Sequence, residues 1–115
     1  MRNKGLWLAV GLTLLLSGCA STSSTTQQLE LFFSPEQTSL NAEQQRKVKQ
    51  FFDDNPYHQI SAYIAPANIS DPFKALVQSQ KRMQAINRLS ASYNIPLRLE
   101  YAPKQDADTL LLKRL

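Results

Sequence analysis

The stretch Asp71-Pro72-Phe73-Lys74-Ala75-Leu76-Val77-Gln78-Ser79-Gln80-Lys81-Arg82-Met83-Gln84-Ala85-Ile86-Asn87-Arg88-Leu89-Ser90-Ala91-Ser92-Tyr93-Asn94-Ile95-Pro96 carries a start signal, an apolar stripe and a stop signal in one run. Asp71 is a side-chain acceptor of the kind that caps a helix N-terminus, and Pro72 suits the first helical position, where its missing N–H costs nothing. Phe73, Leu76, Val77, Met83, Ile86, Leu89 and Tyr93 recur mostly at steps of three and four, which predicts one buried face. Asn94 tolerates the left-handed conformation that ends a helix, and Pro96 prevents its continuation.

Working outward, the flanks alternate between extended and helical patterns. Upstream, His58 to Ala65 puts Ile60, Ala62 and Ile64 on one face, which predicts a strand ended by Pro66. Before it, Asn41 caps a first helix that runs to about Asp54 and stops at Asn55-Pro56, with Val48, Phe51 and Phe52 as its apolar stripe. Leu29 to Phe33 is a short strand-like run halted by Ser34-Pro35. Downstream, Pro96 to Tyr101 reads as a third strand and Thr109 to Leu112 as a weaker fourth. The order β-α-β-α-β-β predicts an α+β fold, a two-layer α/β sandwich with both helices on one face of the sheet.

The N-terminus has a different character. Arg2 and Lys4 precede an apolar run from Leu6 to Leu16, followed by Ser17-Gly18-Cys19. These are secretory-signal proportions, and the run is shorter than the ~20 apolar residues a membrane-spanning helix needs. Leu16-Ser17-Gly18-Cys19 resembles the lipobox of bacterial lipoproteins. That resemblance implies a signal peptide over residues 1–18, cleavage before Cys19, and a diacylglyceryl and palmitate-type acyl modification of Cys19. Cys19 is the only cysteine, and an unpaired thiol in an oxidising compartment is a liability unless it is chemically occupied. Two acyl chains, at about 0.8 kcal/mol per buried methylene, make a stable tether. The next residue is Ala20, whereas an Asp there would resemble an inner-membrane retention signal. The expected location is therefore the periplasmic face of the outer membrane.

Loss of Arg2 and Lys4 with the signal lowers the formal charge from +4 to +2, since no acid is lost with them. The sequence pI of 9.4 overstates the basic character, and a nucleic-acid partner has little support. All three glycines lie in the signal, so downstream turns fall to six prolines and to Asn residues that accept positive φ. Residues 19–28 comprise the lipidated Cys19 and a small, polar linker without periodicity, whose nine residues after the cysteine span at most ~30 Å. Residues 29–115 are the expected periplasmic domain.

Within that domain the run from Phe33 to Pro103 resembles the OmpA-like family of periplasmic peptidoglycan-binding domains. Phe33-Ser34-Pro35-Glu36-Gln37-Thr38-Ser39-Leu40-Asn41 is similar to the segment that follows the family's opening strand. Asn55-Pro56 falls at the end of the first helix, and Gln59-Ile60-Ser61-Ala62-Tyr63-Ile64 follows as an isoleucine-bearing strand. Gln78 to Ile86 keeps the Ser, the Arg and the closing β-branched residue of the family's Leu-Ser-x-x-Arg-Ala-x-x-Val signature. Asn94-Ile95-Pro96 stands where the family has Gly-Ile-Pro. The resemblance implies a ligand site in which the helix arginine, here Arg82, and an aspartate after the second strand clamp the carboxylate and amine of a diaminopimelate. At the usual spacing this chain reads Ile64-Ala65-Pro66-Ala67, so the family's Asp is missing and Arg82 is left without its acidic partner. Arg82 retains a bidentate fork for a carboxylate. Ser79, Asn68 and Asp71 are the remaining candidate ligand-binding residues, although Asp71 is already accounted for as a helix cap.

No other chemistry is legible. His58, the only histidine, has no partner ligands for a metal, and Ser79 has no base at a useful spacing. Asp53-Asp54 and Asp106-x-Asp108 read as solvated charges with too few oxygens for calcium. No cofactor and no catalytic residue is expected. Two functions follow: a non-enzymatic structural or assembly module of an envelope apparatus (secretion, pilus or flagellar), or a peptidoglycan-binding lipoprotein linking outer membrane to cell wall. The first calls for an envelope protein partner and an exposed edge, expected at Leu110-Leu111-Leu112.

Overall fold

The computed structural model describes residues 27–115. The expected signal peptide, Cys19 and most of the expected linker fall outside the described residues. The elements are β1 (Gln28–Phe32), α1 (Ala42–Asp54), β2 (Ile60–Ile64), α2 (Pro72–Ser92), β3 (Leu97–Tyr101) and β4 (Thr109–Arg114). The β-α-β-α-β-β order and the α+β class agree with the pattern read from the sequence. Among the described residues, no helix is long and apolar enough to cross a membrane.

Both helices begin as their capping residues dictate. The Asn41 side chain accepts from Gln44 N–H at 2.8 Å, and Gln44 Oε1 in turn accepts from Asn41 N–H at 3.0 Å, a reciprocal capping box. Asp71 accepts from Phe73 N–H, with Pro72 in the first turn. At the end of α2, Asn94 sits at φ 59°. Its N–H donates to Ala91 O and the Ile95 N–H donates to Ser90 O, both at 2.9 Å. This is a Schellman closure with Asn where Gly is usual.

The strand order is β1-β4-β2-β3. β2 and β3 are parallel neighbours joined by α2, while β4 runs antiparallel to both β1 and β2. The C-terminal strand therefore lies inside the sheet. This overturns the expectation that Leu110-Leu111-Leu112 forms an exposed edge: Leu110 and Leu112 are fully buried. A run of apolar residues at the end of the chain is read as exposed only if it pairs last, and here β1 and β2 enclose it on both sides. Among the described residues, the free edges belong to β1 and β3.

Leu31, Phe33, Ile60, Ala62, Ile64, Leu110 and Leu112 form the sheet's contribution to the core, and Leu40, Val48, Phe51, Phe52 and Ile86 pack onto them. The face that α2 buries differs from the stripe of large apolar residues. Its buried positions are Ala75, Ser79, Arg82, Ile86 and Ser90, at helical spacing, while Phe73 is exposed. Small side chains at 75, 79 and 90 allow close approach to the sheet, and Met83, Leu89 and Tyr93 pack at the margin.

Candidate functional site

α2 carries Arg82 into the protein at the end of the sheet where three loops meet. The side chain is fully buried. Its Nε donates to Gln37 O at 2.8 Å, and Nη2 donates to Ser34 O at 3.1 Å and, more weakly, to Pro35 O at 3.5 Å. Nη1 donates to Asp108 Oδ1 at 2.9 Å. The guanidinium carbon stands 4.5 Å from the centroid of the Phe33 ring, within cation–π range. Four hydrogen bonds, drawn from all three nitrogens, thus engage a fork of five N–H donors.

Asp108 supplies the carboxylate that residues 64–67 lack, and it comes from the β3–β4 loop. The reading of Asp108 as a solvated loop charge is corrected accordingly. Its φ of 61° places it in the left-handed region that Asp tolerates. Its N–H donates to Pro66 O at 3.0 Å, its carbonyl accepts from Phe33 N–H at 2.8 Å, and its Oδ1 also accepts from Asn68 N–H at 3.1 Å. One residue therefore ties the β1–α1 segment, the β2–α2 loop and α2 together. The side chain is 17% exposed against 1% for Arg82, so the pair is reached from outside only over Asp108.

The other candidate residues have separate positions. Ser79 is buried, and its hydroxyl donates to Ala65 O at 2.8 Å and lies 3.0 Å from Ala75 O, linking α2 to the β2–α2 loop. Asn68 is exposed and joins the cluster through its backbone N–H. Asp71 is exposed at the helix start, with its carboxylate engaged by Phe73 N–H. The structure brings together Arg82 and the Asn68 backbone through Asp108, and keeps the Ser79 hydroxyl and the Asp71 carboxylate engaged in their own local bonds. Gln37 and Ser34, which the sequence did not single out, and Asp108, which it placed in solvent, complete the arrangement. Gln78 Nε2 adds a bond to Pro35 O at 2.9 Å, holding the same loop over Arg82.

Three surface grooves of about 160, 310 and 400 Å³ lie elsewhere, and none is lined by Arg82, Ser79, Asn68 or Asp71. Among the described residues, no group of three His, Cys, Asp or Glu side chains converges to hold a metal ion. Glu43 on α1 is held below the usual carboxylate range by its hydrogen bond from Arg46. That pair is solvent-exposed, and it reads as a surface i,i+3 contact.

A four-stranded mixed sheet with two helices on one face, built in this order, is the fold of OmpA-like domains. The OmpA-like domain of FopA1 from Francisella tularensis subsp. tularensis SCHU S4 is similar in structure, with a TM-score of 0.57 and 12% sequence identity over 76% of this chain and 73% of that one. No protein-family model and no curated protein matches the sequence.

Proposed function

We propose that this chain is an outer-membrane-anchored periplasmic lipoprotein whose OmpA-like fold works as a non-enzymatic structural or assembly module of an envelope apparatus. The observation that carries this reading is the engagement of Arg82. A receptor for a zwitterionic stem-peptide residue needs a guanidinium open to an incoming carboxylate, and here the chain's own carbonyls and Asp108 hold the fork. A ligand carboxylate would have to displace bonds that the buried side chain cannot replace with water, a cost on the order of 1–3 kcal/mol per unsatisfied group. The apolar, buried Ala65 and Ala67 in the β2–α2 loop offer no second charge.

The anchor is part of the proposal. Cys19 as an acylated residue would hold the module within ~30 Å of the membrane through the short polar linker, in reach of a membrane-embedded or membrane-proximal protein partner. Metabolic palmitate labelling of the full chain tests this arm: label is expected on the wild type and absent from Cys19→Ala.

The competing reading, a cell-wall linker, draws on the fold and on the partial exposure of Asp108. Purified sacculi decide between the two. The assembly reading expects no retention of the full chain above that of an unrelated lipoprotein. Saturable retention that free diaminopimelate competes away would replace it with the cell-wall reading.

A further inference from the structure

Among the described residues β3 is a free edge of the sheet, bonded to β2 on one side only. Ala102 N–H donates to Ile64 O at 2.7 Å. In a parallel ladder backbone groups alternate along the strand, so Arg98 and Glu100 turn their N–H and C=O toward β2 with Ala102. Leu97, Leu99 and Tyr101 turn theirs outward. The side chains alternate independently: Leu97, Leu99 and Tyr101 lie on the helix side, and Arg98 and Glu100 on the open face.

We propose that this edge pairs with the same edge of a second copy of the chain, antiparallel about a two-fold axis through Leu99. An antiparallel ladder requires outward-bonding residues to meet outward-bonding residues, so successive permitted registers differ by two residues. Centred on Leu99, the pairing sets Leu99 against Leu99 and Leu97 against Tyr101 of the second copy. Arg98 then stands opposite Glu100 of the second copy, and Glu100 opposite its Arg98. These are non-hydrogen-bonded positions, where opposed side chains are closest. The register on one side puts Arg98 opposite Arg98, and the register on the other puts Glu100 opposite Glu100. Charge therefore selects one register out of the three that keep most of the strand paired.

The free protein is prepared for that exchange. Arg98 Nε lies 3.5 Å from Glu100 Oε2 on its own strand, with the two side chains 63% and 44% exposed, a surface pair of little worth in water. Its charges are free to turn to the second copy. Beside the edge, a groove of about 400 Å³ is lined by Leu99 and by Gln80, Met83, Gln84 and Asn87 of α2. A two-fold axis at Leu99 brings the two α2 helices face to face over this groove. Met83 supplies apolar area there, and the three amides carry both donors and acceptors, so the patch complements itself without burying net charge. Mixed charges on an edge commonly discourage pairing. Here their order along Leu97-Arg98-Leu99-Glu100-Tyr101 makes one self-pairing attractive. The inference is independent of both Arg82 and the anchor.

Sedimentation equilibrium of the full chain in detergent micelles tests it. The wild type is expected to dimerise with rising protein-to-micelle ratio. Arg98→Glu and Glu100→Arg each set like charges opposite one another twice per dimer, and each should weaken association by about tenfold or more. The double variant Arg98→Glu/Glu100→Arg restores opposite charges and should return to within about threefold of wild type. The anchor co-locates copies equally in every variant, so differences among variants report the edge. A wild type that stays monomeric, single reversals that dimerise like wild type, or a double variant as weak as the singles would each overturn the proposal.

Discussion

Arg82 Nη1 and Asp108 Oδ1 lie 2.9 Å apart across a sequence separation of 26 residues, one at the centre of α2 and the other at a left-handed turn beside β4. The arginine is inside and the aspartate stands between it and solvent. A buried guanidinium tolerates this position only with its charge paired and its donors engaged. Ser34, Gln37 and Asp108 meet that requirement jointly, and in doing so they fix three loops at one end of the sheet.

Removing the carboxylate should therefore leave an uncompensated buried charge. Asp108→Ala is expected to lower unfolding stability by about 3–5 kcal/mol, a large share of the ~5–15 kcal/mol of an ordinary domain. Asp108→Asn keeps an oxygen acceptor and tolerance of positive φ, and should cost clearly less. Urea denaturation of the two variants beside wild type measures the difference; equal losses would mean that the charge is not what matters.

Arg82→Lys tests geometry separately from charge. An ammonium on a flexible stem cannot reach Gln37 O, Ser34 O and Asp108 in one plane, so carbonyls now bonded at 2.8 and 3.1 Å would lose their donors. We expect a loss of about 2–6 kcal/mol, roughly 1–3 kcal/mol for each of the two carbonyls left bare. It should be non-additive with Asp108→Asn in a double-mutant cycle, because the two residues share one network. Additive losses would separate the loop contacts from the ion pair.

The sequence made the local parts of this arrangement legible and the long-range parts opaque. Asn41, Asp71, Pro72 and Asn94 act within three residues of themselves, and each sits where its chemistry predicts. Resemblance points to Arg82 but not to its acid, because nothing local links Asp108 to a helix residue 26 positions away. The buried face of α2 was obscured for a related reason: Ser79, Arg82 and Ser90 are polar by type, and only their hydrogen bonds make them interior residues. The position of β4 is not legible because strand order is a property of pairing, and a Leu-rich run does not reveal whether it pairs on one side or two.

Two buried serines make opposite predictions. The Ser79 hydroxyl donates to Ala65 O at 2.8 Å, so Ser79→Ala should cost about 0.5–1.5 kcal/mol. The Ser61 hydroxyl is buried on the open face of β2 with no hydrogen-bond partner among the described residues. Ser61→Ala removes a desolvated polar group and should be neutral or stabilising by up to about 1 kcal/mol. Chemical denaturation midpoints distinguish them, and a destabilised Ser61→Ala would point to a partner for that hydroxyl.

Gln44 does more than close a capping box. Its Nε2 donates to Phe32 O at 2.8 Å while Oε1 accepts from Gln37 Nε2 at 2.6 Å and from Asn41 N–H. It thus joins the end of β1 to the start of α1. Asn41→Ala loses only the cap and should cost about 1 kcal/mol. Gln44→Glu keeps the acceptor but turns a carboxylate toward the Phe32 carbonyl, and should cost more than the cap variant at neutral pH. Thermal melts at neutral and acidic pH check the cause, since protonating the introduced carboxyl should recover part of the loss.

The interior position of β4 gives the last prediction. Leu112 is fully buried, flanked by Leu29 of β1 and Ala62 of β2. Leu112→Ala should cost about 2–5 kcal/mol, the range for an aliphatic side chain removed from a packed core. Deleting residues 109–115 should abolish cooperative unfolding, because β1 and β2 are joined in the sheet only through β4. Leu115, at 52% exposure, provides the contrast: Leu115→Ala should stay within about 0.5 kcal/mol of wild type. If Leu112→Ala were as mild as Leu115→Ala, β4 would not be the strand that unites the sheet.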